Sequence, residues 1–124
     1  MIQNGYYDGN NWEWIKTIIQ TDIGNTVTSI GDDAFRDCDS MTSVTIPSSV
    51  EYIEWEAFAG CSGLMGTLTI PNSVMGIGDK AFSDCNSLTS VTIPDSTESI
   101  GERAFEYCRG LTSVTIGSGI QRIG

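Results

Sequence analysis

The stretch from Ile77 to Thr97, I-G-D-K-A-F-S-D-C-N-S-L-T-S-V-T-I-P-D-S-T, decides the fold, because the chain keeps returning to it. The isoleucine column is Ile30, Ile53, Ile77, Ile100 and Ile123. The aromatic column is Phe35, Phe58, Phe82 and Phe105, and the cysteine column is Cys38, Cys61, Cys85 and Cys108. The spacing is 23 residues throughout, except for 24 across the second copy, where G-L-M-G-T-L-T-I-P carries one extra residue. A fixed period of this length signals a solenoid, in which each unit buries its apolar side against the next.

Within one copy, Leu88, Val91 and Ile93 fall on one side of a strand and Ser90 and Thr92 on the other. Pro94 has no N–H to give and ends the ladder. A second apolar pair, Val74 with Ile77, marks a short extended piece. Ala81, Phe82 and Cys85 then lie three and four residues apart, which predicts a helical turn, opened by an acid such as Asp32, Asp79 or Glu102. The fold class expected is therefore α/β: a solenoid with parallel strands on one face and short helical turns opposite.

The unit L-T-S-V-T-I-P-x-S-V-x-x-I-G-x-x-A-F-x-x-C resembles the BspA-like leucine-rich repeats of bacterial and protozoan surface proteins. The resemblance covers residues 23–124 and implies a right-handed leucine-rich-repeat solenoid that binds or adheres to other proteins at a cell surface. It also implies that the hydroxyl column Thr26, Ser49, Ser73 and Ser96 bonds to the backbone of the neighbouring coil. The departures are Glu54-Trp55 for Gly-Asp, Thr97 for Val, and Gly117 and Gly119 for Pro and Ser.

Residues 1–22 read as an N-terminal loop followed by a degenerate capping coil. Trp12, Ile15, Ile18 and Ile23 each precede a repeat column by 23. An aromatic binding patch of Tyr6, Tyr7, Trp12 and Trp14 is the weaker reading. No C-terminal cap is legible. Either the array continues or the last coil, residues 111–124, is covered by another chain, and self-association is expected there.

Chemistry is sparse. The chain of 124 residues has 16 acidic residues, six basic ones and no histidine, for a net charge of −10. Without histidine, nucleophilic catalysis lacks its usual base, and the acids scatter over coil corners, so no enzyme is expected. The cysteines repeat with the coil and have parallel rather than converging side chains, which argues against disulfides. They lack the C-x-x-C and His of a zinc site, and Asp33, Asp37 and Asp39 do not follow a calcium-loop spacing. No cofactor or metal is expected. Few basic residues exclude direct nucleic-acid binding, and no apolar run spans a bilayer. No export signal is apparent, which leaves a cytosolic location or a removed signal open.

Two breaks in the pattern remain. Tyr52 and Trp55 stand where other copies carry small or acidic residues, among Glu51, Glu54 and Glu56. Tyr52, Glu54, Trp55 and Glu56 are the candidate partner site, with a basic surface favoured on the partner. The alternative packs Trp55 over Met75 or the adjacent coil. Three functions follow: a non-catalytic protein-binding or adhesive module, a small acidic inhibitor that fills the basic groove of a nucleic-acid-binding protein, or a purely structural repeat.

Overall fold

The strand of the quoted repeat is β7, Leu88–Ile93, in a computed structural model that describes residues 27–124 and the backbone of 20–22. Its alternation is as the sequence dictates: Leu88, Val91 and Ile93 are buried, and Thr89 and Thr92 are exposed. The other long strands are β1 (Gln20–Asp22), β3 (Ser43–Thr45), β5 (Gly66–Thr69) and β9 (Ser113–Ile116). They form two parallel sheets, β1-β3 and β5-β7-β9. Between them in sequence come two-residue strands: β2 (Ser29–Ile30), β4 (Tyr52–Ile53), β6 (Gly76–Ile77), β8 (Ser99–Ile100) and β10 (Arg122–Ile123). These build one continuous five-stranded parallel sheet, so the short extended piece of each copy is itself a ladder rung. β1 pairs with β3 as Gln20↔Ser43 to Asp22↔Thr45, one repeat apart. The residues proposed for the cap and its aromatic patch otherwise lie outside the described residues, as does Thr26.

The corner after each strand starts at proline. Pro47, Pro71 and Pro94 cannot donate to the ladder, and their carbonyls accept the N–H of Val50, Val74 and Thr97 at 3.1, 3.1 and 3.3 Å, closing a β-turn. Thr97, the substitute for Val, is completely buried, and its hydroxyl donates to the Val74 carbonyl at 2.8 Å. That bond removes the penalty of an apolar column holding a hydroxyl. In the expected hydroxyl column, Ser49 donates to the Val27 carbonyl and Ser96 to the Asn72 carbonyl, at 2.6 and 2.5 Å. Ser73 is half-buried, and its buried hydroxyl oxygen has no hydrogen-bond partner.

The expected helical turns are replaced by something flatter: the described residues contain no helix. From Gly78 to Asp84 the N–H of Ala81 donates to Gly78 at 3.2 Å and that of Ser83 to Lys80 at 3.1 Å, each a three-residue closure. The N–H groups between them point sideways. Lys80, Phe82 and Asp84 donate to the carbonyls of Glu102, Ala104 and Glu106 in the next coil, at 3.0, 2.8 and 2.8 Å. Donors used between coils cannot also close the four-residue bonds of an α-helix. Lys80 (φ 57) and Asp84 (φ 61) are left-handed, as are Asp33, Asp37, Glu56, Gly60, Arg103 and Tyr107 in the other coils. Two left-handed residues per segment undo the curl of each turn. The segment therefore runs straight enough to be laddered by its neighbours. The Asp79 carboxylate does meet a free N–H, but it is that of Glu102 in the following coil, at 2.8 Å.

Behind these segments stands the core. Phe35, Phe58, Phe82 and Phe105 stack with ring centroids 5.1, 5.1 and 5.4 Å apart and planes within 11° of parallel. Ile30, Ile53, Ile77 and Ile100 form a second buried column and Ala34, Ala57, Ala81 and Ala104 a third. Burying each aromatic or branched side chain supplies about 1.5–3 kcal/mol. All four cysteines are free thiols.

The extra residue of the second copy leaves a mark. β3 and β5, neighbours in the stack, belong to different sheets. Gly66 at the start of β5 has φ 78, and the β5–β7 register shifts between Gly66 and Thr67. A cleft of about 40 Å³ lined by Val44, Leu64, Met65 and Thr67 opens at this seam. The five-stranded sheet and the phenylalanine stack pass it without interruption. In the last coil, Val114, Ile116 and Ile123 are exposed, because no further coil among the described residues packs on their outer side.

Candidate functional site

On β4, Ile53 points into the core and Tyr52 therefore points out, by the period of two. Its row along the five-stranded sheet is Ser29, Tyr52, Gly76, Ser99 and Arg122, fixed by the strand register. A Cβ on Gly76 would lie 3.2 Å from the Tyr52 ring, so the phenol leans across the bare backbone of the next coil. A side chain at position 76 would push it away. Tyr52 is left 46% exposed.

Beside it runs a second row, Thr28, Glu51, Met75, Glu98 and Gln121. It is tied by N–H donors of Glu51, Met75, Glu98 and Gln121 to the carbonyl one coil back, at 2.7–2.8 Å. The two rows frame a groove of about 270 Å³ lined by Tyr52, Met75, Glu98, Ser99, Gln121 and Arg122. Glu98 and Gly76 were not singled out by sequence, and Met75 was named only as a surface that Trp55 could cover. The signal was there, in a column where the largest side chain sits next to none at all.

The remaining candidates diverge. Trp55, 44% exposed, begins the turn segment of its coil and its carbonyl accepts the Asp33 N–H at 3.0 Å. It is not a core residue. Gly78 of the next coil approaches the Glu54–Trp55 backbone so closely that a Cβ there would lie 2.7 Å from the Glu54 carbonyl carbon. Glu54 accepts a hydrogen bond from Ser29 Oγ at 3.1 Å. Glu56 turns the other way: its carboxylate pairs with Arg36 at 3.4 Å and its side chain is only 12% exposed. Arg36 also approaches Asp33 and Asp37, at 3.5 and 3.9 Å. Of the four proposed contact residues, Tyr52 and Trp55 present free surface, and Glu54 and Glu56 are engaged within the coil stack.

The cysteine column is arranged for structure. Cys61, Cys85 and Cys108 each donate a thiol hydrogen to the phenylalanine carbonyl of the preceding coil, Phe35, Phe58 and Phe82, at 3.1, 3.3 and 3.1 Å. Burial pushes all three thiols above the ordinary cysteine value, which favours the inert neutral form. Among the described residues no three His, Cys, Asp or Glu side chains gather to hold a metal ion, and no helix is long and apolar enough to cross a membrane. On the long strands, Thr67 pairs with Ser90 and Thr69 with Thr92, and the Thr67 and Ser90 hydroxyls lie 2.6 Å apart.

Three solved structures share this architecture. A leucine-rich repeat protein of T. pallidum superposes with a TM-score of 0.83 at 29% identity, over 87% of this chain and 52% of that one. A leucine-rich repeat protein from Bacteroides ovatus gives 0.75 at 33% identity, over 82% and 26%. A leucine-rich cell surface protein from Faecalibacterium prausnitzii gives 0.73 at 31% identity, over 78% and 25%. The chain thus spans about half the length of the first and about a quarter of the other two. No curated protein sequence matches it. Residues 10–124 match the BspA type leucine-rich repeat region in six copies, and with the stacked 23-residue coils this establishes that the chain belongs to the BspA-type leucine-rich-repeat family.

Proposed function

We propose that the protein is a non-catalytic interaction module that binds another protein, in an adhesive role at a cell surface. The observation that carries this reading is the corner at the second coil. Where the other described copies place serine, glycine or arginine in the Tyr52 row and an acid at the Trp55 position, this coil presents two half-exposed aromatics on a ladder of paired strands. Exposed aromatic side chains are favoured anchors at interfaces, because each removes a large area from water at little conformational cost. Solenoids offer such corners along an extended surface. The F. prausnitzii relative, described as a cell surface protein, supports the cell-surface location in this reading.

The test compares the wild-type chain with Trp55→Ala and Tyr52→Ala. Each is immobilised and presented in turn with extracellular-matrix proteins and with cytosolic extract. Retention of a matrix protein that falls at least tenfold in either variant, with unchanged melting, supports the reading. Retention of nucleic-acid-binding proteins alone, lost at high salt, favours instead the acidic inhibitor that the net charge of −10 also suggests. Retention of neither leaves a purely structural repeat.

A further inference from the structure

We infer that the groove over β6 and β8 is a receptor for one basic side chain, best an arginine, of an extended segment on the partner protein. This inference rests on the interaction reading above and places its centre at Tyr52, Met75, Glu98 and Ser99, a groove that starts in the coil of Trp55 and runs over the next two.

Three features fit an arginine. The first is shape. Tyr52 leans over Gly76 and forms one wall, Gln121 and Arg122 form the other, and the intervening coil supplies Glu98 and Ser99 between them. A space of about 270 Å³ suits a single long side chain. The second is chemistry. A guanidinium stacks on an aromatic face and forks onto a carboxylate. Tyr52 offers the face, Met75 an apolar contact for the aliphatic stem, Glu98 the carboxylate and Ser99 a hydroxyl acceptor.

The third is charge. Glu51 and Glu98 stand in the same row two strands apart, roughly 10 Å by the strand spacing. Glu54, Asp79 and Glu102 lie on the adjoining turns of a chain whose net charge is −10. Against these the groove holds one cation, Arg122, exposed at its far rim on the last strand. The local field favours a positive ligand, and Arg122 opposes it. That opposition gives the test a sign.

The full chain is panned against a phage-displayed library of random peptides, and enriched peptides are synthesised and titrated at physiological salt. The expected outcome is enrichment of arginine. Replacing that arginine by the neutral isostere citrulline weakens binding roughly tenfold or more, as loss of a charge-assisted hydrogen bond does. Glu98→Gln has a similar effect with unchanged melting, whereas Arg122→Ala tightens binding several-fold. Enriched peptides without basic residues, indifference to citrulline or to Glu98→Gln, or weakening by Arg122→Ala each overturn the groove assignment while leaving the interaction reading in place. No enrichment of any sequence overturns the interaction reading itself and this inference with it.

Discussion

At the scale of the residue, the columns carry unequal weight. Phe82 is fully buried between two stacked rings. Phe82→Ala removes contacts to both neighbours and leaves a cavity that the laddered backbone cannot close, so urea melts should show a loss of about 3–5 kcal/mol. Thr92→Ala, on the exposed side of β7, should stay within about 0.5 kcal/mol. The thiols make a prediction about pH. Cys61 and Cys85 are pushed up by burial in the folded state, while an unfolded thiol titrates near 8.5. The folded chain therefore holds its thiol protons longer than the unfolded one. Their contribution is fully present below about pH 8.5 and declines as the pH rises towards the folded values. Stability measured from pH 7 to 10 should fall on the alkaline side, and Cys85→Ala should reduce that slope. The column of buried small apolar residues was legible from spacing alone. The thiol bond to the preceding phenylalanine carbonyl was not, because it depends on which main-chain group lies one coil back.

At the scale of the element, sequence and structure part at the turn segments. The three-residue separation of Phe82 and Cys85 is met equally by a helical turn and by consecutive β-turns, since both return position i+3 to the same side. What separates them is backbone handedness, and the left-handed positions are filled by Lys80, Asp84, Arg103 and Tyr107 rather than by glycine. Only Gly60 advertises it. The described residues should accordingly contribute no paired helical minima to the circular-dichroism spectrum. Substitutions at Lys80 (φ 57) give the sharper check. A β-branched residue is an outlier at positive φ, so Lys80→Ile should cost about 1–2 kcal/mol, whereas Lys80→Gly should be neutral or slightly stabilising. In a helix the order would reverse, with Gly the worse by a few tenths of a kcal/mol. By contrast, the strands and proline corners were readable, because alternation and a missing N–H leave few choices. The second sheet was read only as an extended piece, since two residues per rung give no periodicity to detect.

At the scale of the whole molecule, the stack has one face where its columns run out. Val114, Ile116 and Ile123 are exposed there, beside the free edges of β9 and β10. Unpaired strand edges next to apolar side chains favour association. We expect sedimentation of the 124-residue chain to show a concentration-dependent dimer or longer stack. Val114→Lys with Ile116→Lys should make it monomeric, and a wild-type chain that remains monomeric at high concentration would contradict this. The candidate corner was half legible. Tyr52 and Trp55 stood out as breaks in the pattern, but their separation onto a groove and a turn follows from Gly76 and Gly78, whose significance appears only when adjacent coils are superposed.

The seam between β3 and β5 has a consequence for mechanics. A solenoid pulled end to end bears load through the rungs that join successive coils, and most junctions here are stitched along both sheets. At the inserted residue the strand pairing on the long-strand side lapses, leaving there the hydrogen bond from the Met65 N–H to the Thr42 carbonyl at 3.1 Å, and most of the tension falls on the five-stranded sheet, the turn ladder and the Phe35–Phe58–Phe82 stack. The molecule carries a perforation. Stretched in an optical trap by handles at its two ends, it should tear first between the second and third coils, at a lower force than the other junctions. Deleting Gly66, which restores the common repeat length, should erase that early step.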